Sequence, residues 1–293
     1  ELIKLASLII TLNKSMACAD RVAGILAVKS SMTYVNDEMR QKEKKQNHTP
    51  AVKFDHVTFT YAGAGAPSLK DISFQAMPGE TIGIIGGTGS GKSTLVSLIP
   101  RFYPQDGQVY MDGQNVTEYT RKSIGEKVGI VQQRSVLFQG SIRDNLKWGD
   151  ENATDEDIWK AIEIAQAKEV VEGKMGKLDF QLEQNGRNLS GGQKQRLTIA
   201  RALVKKPEIL ILDDSASALD FATDAALRKA IHGLEGKITT FLVSQRVAGI
   251  KQADKILVLG NGELAGQGTH EELMKNCEVY QEIYYSQFPE EKL

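Results

Sequence analysis

The stretch "GETIGIIGGTGSGKSTLVSLI", residues 79–99, runs through three kinds of local structure in a fixed order. A nearly continuous apolar run, typical of a strand buried on both faces, leads into a glycine-rich loop. After the loop, Lys92 and Ser93 lead into an apolar segment that predicts a helix. Strand, loop and helix in this order predict an α/β fold.

The glycine-rich loop predicts a phosphate site. It matches G-x-x-x-x-G-K-[ST] at Gly86, Gly91, Lys92 and Ser93. Glycines let backbone N–H groups approach phosphates, and the start of a helix adds its positive dipole end. Lys92 would reach the β- and γ-phosphates, and the Ser93 hydroxyl would complete a Mg²⁺ site. A glycine-rich turn without a ligand is the alternative, and the loop alone does not separate kinases, GTPases, helicases and transport ATPases.

Strand and helix patterns alternate along the rest of the chain. Asn261-Gly262, between two apolar runs, predicts a hairpin turn. Residues 154–172 predict a helix with Thr154 as its N-cap and acidic residues in its first turn. Further strands are predicted at "VKFDHVTFTY" (52–61), "VGIVQ" (128–132), "EILILDD" (208–214) and "ITTFLVS" (238–244). The pattern indicates an α/β fold with a mostly helical insertion in its middle.

Composition limits the function classes. The chain has 293 residues and a net charge of −1, so no general attraction to nucleic acid or anionic lipid follows. Cys18 and Cys277 match no metal-ligand spacing, which favours a reduced, cytosolic environment. No secretory signal pattern is found at the N-terminus.

The N-terminal segment allows two interpretations. Residues 1–35 predict a helix, and the polar stretch that ends at Pro50 predicts a linker. The apolar part, "ELIKLASLIITLN", is interrupted by Lys4 and is shorter than the roughly 20 residues that a membrane span needs. Composition alone favours an amphipathic helix packed on the domain, and the alternative is the cytoplasmic end of a longer membrane helix.

A second phosphate-reading element follows about a hundred residues later. In "NLSGGQKQR", residues 188–196, Ser190, Gly191 and Gly192 precede an expected helix. A hydroxyl, two unobstructed amides and a helix N-terminus together can sense a γ-phosphate. A second such element suggests a second nucleotide or a second subunit, whereas a helix cap with accidental glycines is the alternative.

Leu189 to Gln193 resembles the signature of the ATP-binding cassette (ABC) family, and the resemblance covers residues 50–285. It implies a P-loop ATPase core with a mixed, largely parallel sheet, an antiparallel β subdomain and an inserted α-helical subdomain. The implied organisation is a cytoplasmic end of a transmembrane helix (1–35), a linker (36–50), a nucleotide-binding domain (51–285, with its helical subdomain at 134–204) and a C-terminal tail (286–293).

Two segments resemble the exporter branch of that family. "VLFQGSIRDNL", residues 136–146, has the exporter spacing, and "NKSMACADRVAGIL", residues 13–26, is similar to the segment that leaves the last transmembrane helix of an exporter half. The resemblance therefore favours the membrane interpretation of the N-terminus. It implies a half-transporter with its own transmembrane domain, located at the cytoplasmic face of the cell membrane.

The resemblance also assigns roles to single residues. Tyr61 corresponds to the aromatic residue that stacks on adenine, and "SALD", from Ser217 to Asp220, to the loop that crosses to the partner subunit. ATP would be bound by Tyr61, Gly86, Gly87, Thr88, Gly89, Ser90, Gly91, Lys92, Ser93, Thr94 and Gln133. Mg²⁺ would be held by Ser93, Gln133 and Asp213. The partner's ATP would be contacted by Ser190, Gly191, Gly192, Gln193 and Asp220.

Two residues depart from the family pattern at the catalytic position. Asp214 stands where the family usually has the Glu that polarises the attacking water, and one methylene less reach can cost on the order of a hundredfold in rate. Gln245 replaces the usual His that contacts the γ-phosphate, and Gln cannot carry that charge. Together they predict a degenerate site that binds ATP and hydrolyses it poorly.

The leading hypothesis is the degenerate half of a heterodimeric exporter, multidrug-like or lipid-like, whose partner half-transporter carries the intact Glu and His. A homodimeric exporter in which Asp214 works as the base is the alternative. A soluble ABC clamp acting on chromosomes or ribosomes is less favoured, because no coiled-coil heptads separate Lys92 from the signature. No nucleic-acid partner is expected, and the transported substrate would be set by membrane helices.

Overall fold

The computed structural model of the chain describes residues 1–30, 32–35, 49–215, 218–234 and 238–291. Most of the expected linker, together with Ser217 of the "SALD" loop and the last two residues of the tail, lies outside the described residues. The chain forms two compact units, Glu1–Thr33 and Tyr34–Leu293, and each is described by itself.

The N-terminal unit consists of one helix, α1 (Leu2–Leu26). The predicted helix over residues 1–35 is too long, because the described residues after 26 are not helical. Ser30 Oγ accepts a hydrogen bond from the Met32 N–H at 3.0 Å, a local bond that competes with helical pairing. The apolar stretch at residues 1–13 is only the first part of α1, and the whole helix of 25 residues is, by length and composition alone, long and apolar enough to cross a membrane.

The larger unit is built on a six-stranded sheet with the order β12-β11-β3-β10-β9-β6. Only the edge strand β12 is antiparallel to its neighbour; the other pairs are parallel. The strands are β3 (Thr81–Gly86), β6 (Val128–Val131), β9 (Ile209–Asp213), β10 (Thr239–Val243), β11 (Lys255–Gly260) and β12 (Glu263–Gly268). The predicted turn at Asn261-Gly262 joins β11 to β12, and both residues have positive φ, as this hairpin turn requires.

A second, antiparallel sheet has the order β2-β1-β4-β5, and two short strands pair as a ribbon. Its strands are β1 (Val52–Phe59), β2 (Leu69–Ala76), β4 (Asp106–Met111) and β5 (Gln114–Asn115). The ribbon consists of β7 (Gly140–Ser141) and β8 (Gln181–Leu182). The predicted fold class, a mixed sheet with an antiparallel β part and an inserted helical part, is confirmed.

Nine α-helices are described in the larger unit, and the four that lie between β6 and β9 form the helical part. They are α2 (Lys92–Leu98), α3 (Arg121–Lys127), α4 (Ile142–Lys147), α5 (Asp155–Ile164), α6 (Lys168–Glu172), α7 (Gly191–Val204), α8 (Phe221–His232), α9 (His270–Asn276) and α10 (Glu278–Gln287). Helices α4, α5, α7 and α9 each begin with a reciprocal capping box. Thr154 is the N-cap of α5, as predicted.

Lys127 ties the two sheets together. Its Nζ lies 2.8 Å from Asp112 Oδ2, just after β4, and 2.9 Å from Glu208 Oε1, just before β9. Burial by itself lowers the pKa of Lys127, but hydrogen bonds to the two carboxylates outweigh burial and hold that pKa well above its usual value. The lysine therefore stays charged in its buried position and stabilises the junction between the antiparallel sheet and the central sheet.

Replacement of this lysine is expected to destabilise the fold. Lys127→Met should lower the free energy of unfolding by about 2 kcal/mol, because two carboxylates lose their buried cation. Urea denaturation followed by circular dichroism measures the loss. The control is Lys168→Met, because Lys168 pairs with Glu163 on the surface at 3.0 Å, where solvent screens the pair, and the substitution is expected to leave the free energy of unfolding nearly unchanged. Equal effects of the two substitutions would contradict a structural role for Lys127.

Candidate nucleotide-binding site

Four neighbouring parallel strands end at the same edge of the central sheet. Strands β3, β10, β9 and β6 lie side by side, so the loops that follow them meet there. These loops carry, in the same order, Gly87, Gln245, Asp214 and Gln133. The sheet therefore brings together residues that are separated by more than a hundred positions in the sequence.

The phosphate loop depends on glycine at two positions. A Cβ on Gly86 would lie 2.2 Å from the Leu259 carbonyl oxygen of β11. Gly91 has a φ of 99°, and a Cβ there would lie 2.7 Å from Leu69 Cδ2 and 2.9 Å from the Ser68 carbonyl oxygen. Only glycine fits this left-handed, crowded position. The loop can therefore turn tightly from β3 into α2 and leave its backbone amides accessible.

Lys92 is nine-tenths buried at the start of α2. Its Nζ donates to the Gly86 and Gly87 carbonyl oxygens at 2.9 and 2.7 Å. Burial lowers the pKa of Lys92, and the carboxylates of Asp214 and Asp213 raise it in part. Ser90 Oγ is also buried and has no hydrogen-bond partner among the described residues. A buried cation and a buried hydroxyl beside a glycine loop form a cradle suited to phosphate oxygens.

The two adjacent aspartates point to different partners. Asp213 Oδ1 accepts a hydrogen bond from Ser93 Oγ at 3.0 Å, and Asp214 Oδ2 accepts one from Gln133 Nε2 at 3.1 Å. Burial raises the pKa of the Asp213 carboxyl, the Ser93 hydrogen bond lowers it in part, and the nearby Asp214 raises it further. The two carboxylates thus have different hydrogen-bond partners although they are neighbours in the sequence.

Asp214 has an unusual backbone conformation that the sequence did not reveal. Its φ is 46°, in the left-handed region, and its N–H donates to the Val243 carbonyl oxygen at 3.0 Å. Asp and Asn enter this region more readily than residues with longer side chains, because their short side chains can bond locally. The backbone at this position therefore favours Asp over Glu.

These residues line a cleft of about 430 Å³. Gln245 lies at its wall, and Tyr61 donates or accepts a hydrogen bond with Thr94 Oγ1 at 3.0 Å. Most of the predicted ATP-binding residues line this cleft, but Gly86, Gly87 and Ser90 do not. Ser68, Val243 and Ser244 line the cleft without having been predicted, since their residue types give no chemical signal. The full lining is Tyr61, Ser68, Thr88, Gly89, Gly91, Lys92, Ser93, Thr94, Gln133, Asp213, Asp214, Val243, Ser244 and Gln245.

The signature residues are not part of this cleft. Ser190 is the N-cap of α7, where its hydroxyl accepts the Gln193 N–H at 3.3 Å and Gln193 Oε1 accepts the Ser190 N–H at 3.2 Å. Asp220 likewise caps α8 through Thr223. In its local structure the signature segment is therefore a helix cap, which was the alternative interpretation of these residues. Both groups lie outside the lining of the chain's own cleft.

The donor set at the edge of the sheet fits Mg²⁺. Ser93 and Asp213 offer two hard oxygen atoms 3.0 Å apart, and Gln133 lies beside them in the cleft lining. No group of three or more His, Cys, Asp or Glu residues could hold a metal within the part of the chain that the structure describes. Mg²⁺ commonly uses one or two protein ligands together with phosphates and water, so this sparse set suits it.

Comparison with known proteins agrees with this geometry. The family model described as "ABC transporter" matches residues 69–217, about half of the chain. This match includes the phosphate loop, the signature and both aspartates.

The chain belongs to the ABC transporter family. It is 41% identical over 285 residues to the uncharacterized ABC transporter ATP-binding protein YfiB of Bacillus subtilis, which covers 97% of this chain and 48% of that protein. It is 40% identical over 234 residues to a proposed multidrug export ATP-binding/permease protein of Staphylococcus aureus, covering 80% of this chain and 40% of that protein. The chain thus spans about half the length of these curated relatives.

A solved structure gives the same result for the fold. The structure of a bacterial Atm1-family ABC exporter with ATP bound matches with a TM-score of 0.85 and 31% identity. The match covers 97% of this chain and 49% of the exporter chain. Family membership implies that the domain binds ATP, and the cleft at the end of β3 is where its phosphate loop lies.

Removal of the Lys92 amine should abolish most nucleotide affinity. Lys92→Ala is expected to weaken ATP binding by about a hundredfold, the size of two charge-assisted hydrogen bonds to phosphate. Titration calorimetry of the purified chain with Mg-ATP measures this loss. Thermal stability should not fall, because the substitution also removes a buried charge. Lys160→Ala, at an exposed position on α5, is the control and should leave the affinity unchanged; an unchanged affinity of Lys92→Ala would place ATP elsewhere.

Proposed function

We propose that this chain is the ATP-binding part of an ABC exporter, located at the cytoplasmic face of a membrane, and that α1 is the end of its last transmembrane helix. The observation that carries the proposal is the extent of the similarity to the Atm1-family exporter, which covers 97% of this chain. The residues outside the match are fewer than the 25 residues of α1, so the match includes at least part of this helix. At 1.5 Å per residue, α1 is about 37 Å long, enough for a hydrocarbon core of about 30 Å. The name of the S. aureus relative supports a multidrug type of substrate.

In the proposed site the chain's own residues hold Mg-ATP. Tyr61 would stack on adenine, the loop amides with Lys92 would bind the phosphates, and Ser93, Asp213 and Gln133 would hold Mg²⁺. When bound, the metal ion neutralises charge on the phosphate oxygens. The Ser93–Asp213 hydrogen bond supports this assignment, because it holds two oxygen ligands together beside Lys92.

The same site is proposed to be catalytically weak. The Asp214 carboxylate is bound by Gln133 Nε2, and its chain is one methylene shorter than Glu. Gln245 can donate a hydrogen bond to a terminal phosphate but cannot carry a positive charge. Two weakened contacts at one γ-phosphate support a site that retains ATP and turns it over slowly.

The position of the signature supports a two-chain arrangement. Ser190, Gly191, Gly192, Gln193 and Asp220 lie outside the chain's own cleft, so they are available to the ATP of a second half-transporter. We expect that partner to carry Glu and His at the positions of Asp214 and Gln245. This chain would then complete an active site that it cannot form alone.

Restoring both residues in this chain tests the degenerate site. The variant Asp214→Glu/Gln245→His is expected to raise ATP turnover at least about tenfold, because Glu restores the missing reach. Phosphate release is measured for the wild type, the double variant and a 1:1 mixture, in which the wild-type signature completes the repaired site. Asp71→Glu is the matched control, because Asp71 also has a left-handed φ, 48°, but does not line the cleft. High turnover by the wild-type chain alone would contradict the proposal.

A homodimeric exporter with Asp214 as the working base is the second candidate. It is favoured by one observation, the position of the Asp214 carboxylate in the cleft beside Gln133. Under this alternative the wild-type turnover is high and Asp214→Asn lowers it by about a hundredfold or more. Under the degenerate-site proposal the starting rate is low and Asp214→Asn changes it less than about threefold. The same phosphate-release assay separates the two.

A further inference from the structure

The last residue of α10 reaches the loop that carries Gln245. Gln287 Nε2 donates to the Gln245 carbonyl oxygen at 2.8 Å, and Gln287 Oε1 accepts the Val247 N–H at 2.9 Å. One side-chain amide therefore binds two backbone groups on either side of Arg246. This pairing resembles what a neighbouring strand would offer, because one amide supplies both a donor and an acceptor.

The loop is also fastened from its other side. The Ser244 N–H donates to the Ile84 carbonyl oxygen of β3 at 3.0 Å, and Ser244 Oγ accepts the Arg246 N–H at 2.9 Å. Ser244 thus attaches the start of the loop to the central sheet, and Gln287 attaches its end to α10. Gln245 lies between these two attachments and is one of the residues that line the cleft.

Apolar packing brings α10 to this loop. Val247 and Ile250, which follow the loop, belong to one buried cluster with Tyr280 and Tyr284 of α10. Lys251 Nζ lies 5.5 Å from the centre of the Tyr284 ring. The cluster sets the distance between α10 and the loop, and Gln287 adds the directional contacts that packing alone cannot supply.

We propose that Gln287 is a positioning residue for the nucleotide site, which holds the backbone at Gln245 so that its amide faces the terminal phosphate. The inference rests on the proposed function, in which Gln245 contacts the γ-phosphate. Gln287 does not line the cleft, so its effect passes through Gln245. The C-terminal helix thereby contributes to the discrimination between ATP and ADP, because only ATP carries the phosphate that Gln245 would contact.

The variant Gln287→Leu keeps the size of the side chain and removes both hydrogen bonds. Amide hydrogen exchange of the full chain should become at least about fivefold faster at Val247, because its N–H loses its acceptor. Affinity for ATP should fall about fivefold, the size of one hydrogen bond, whereas affinity for ADP should stay the same. Gln281→Leu is the matched control, because Gln281 Nε2 donates to the Met274 carbonyl oxygen at 2.9 Å within the same helix pair. It should change neither measurement.

Equal losses for ATP and ADP in Gln287→Leu would overturn the inference, because they indicate a general structural effect. Unchanged selectivity in Gln287→Leu would overturn it as well. Gln245→Ala then separates the two possible failures. If this variant lowers ATP affinity relative to ADP, only the positioning role of Gln287 is wrong. If it does not, the proposed γ-phosphate contact of Gln245 is wrong too.

Discussion

Parallel pairing of β3, β10, β9 and β6 is the constraint on which the site depends, because it brings the ends of four distant segments to one edge of the sheet. Each strand is largely apolar, so the polar side chains of the site are carried by Asp213, the last residue of β9, and by the segments that follow the strands. The hydrogen bond between Ser93 and Asp213 closes this arrangement, since it joins the start of α2 to the end of β9 across β10. The phosphate loop and the residues proposed to bind Mg²⁺ are therefore positioned by one sheet.

The two aspartates illustrate how backbone geometry directs identical side chains to different hydrogen-bond partners. Asp213 is the last residue of β9 and follows the pleat of the strand toward Ser93. Asp214 leaves the strand with a left-handed φ and turns toward Gln133. The left-handed backbone at residue 214 thus directs the carboxylate toward Gln133 and also favours the shorter side chain of Asp over that of Glu.

Much of the fold followed from local patterns in the sequence. The strands at residues 81–86, 209–213 and 239–243, the turn at Asn261-Gly262 and the cap at Thr154 all follow from side-chain type over a few residues. The end of α1 at Leu26 was missed, because the residues that follow it are also compatible with a helix and include no proline. The contact of Gln287 with the loop at Gln245 could not be predicted either, since it joins residues 42 positions apart through an ordinary amide. The sequence indicated which residues could bind a nucleotide, but not what holds them in place.

The strand order has a consequence for how the chain folds during synthesis. The neighbours of β3 in the sheet are β10 and β11, which lie more than 150 residues later in the chain. The antiparallel sheet and the capped helices can form from nearby residues as the chain emerges, but β3 has no partner strand until β10 has been made, and its second partner, β11, follows later still. The apolar strand β3 and its glycine loop therefore stay unpaired and exposed until most of the chain has been synthesised. A chain stopped before residue 239 would contain the whole phosphate loop and still lack both strands that support it.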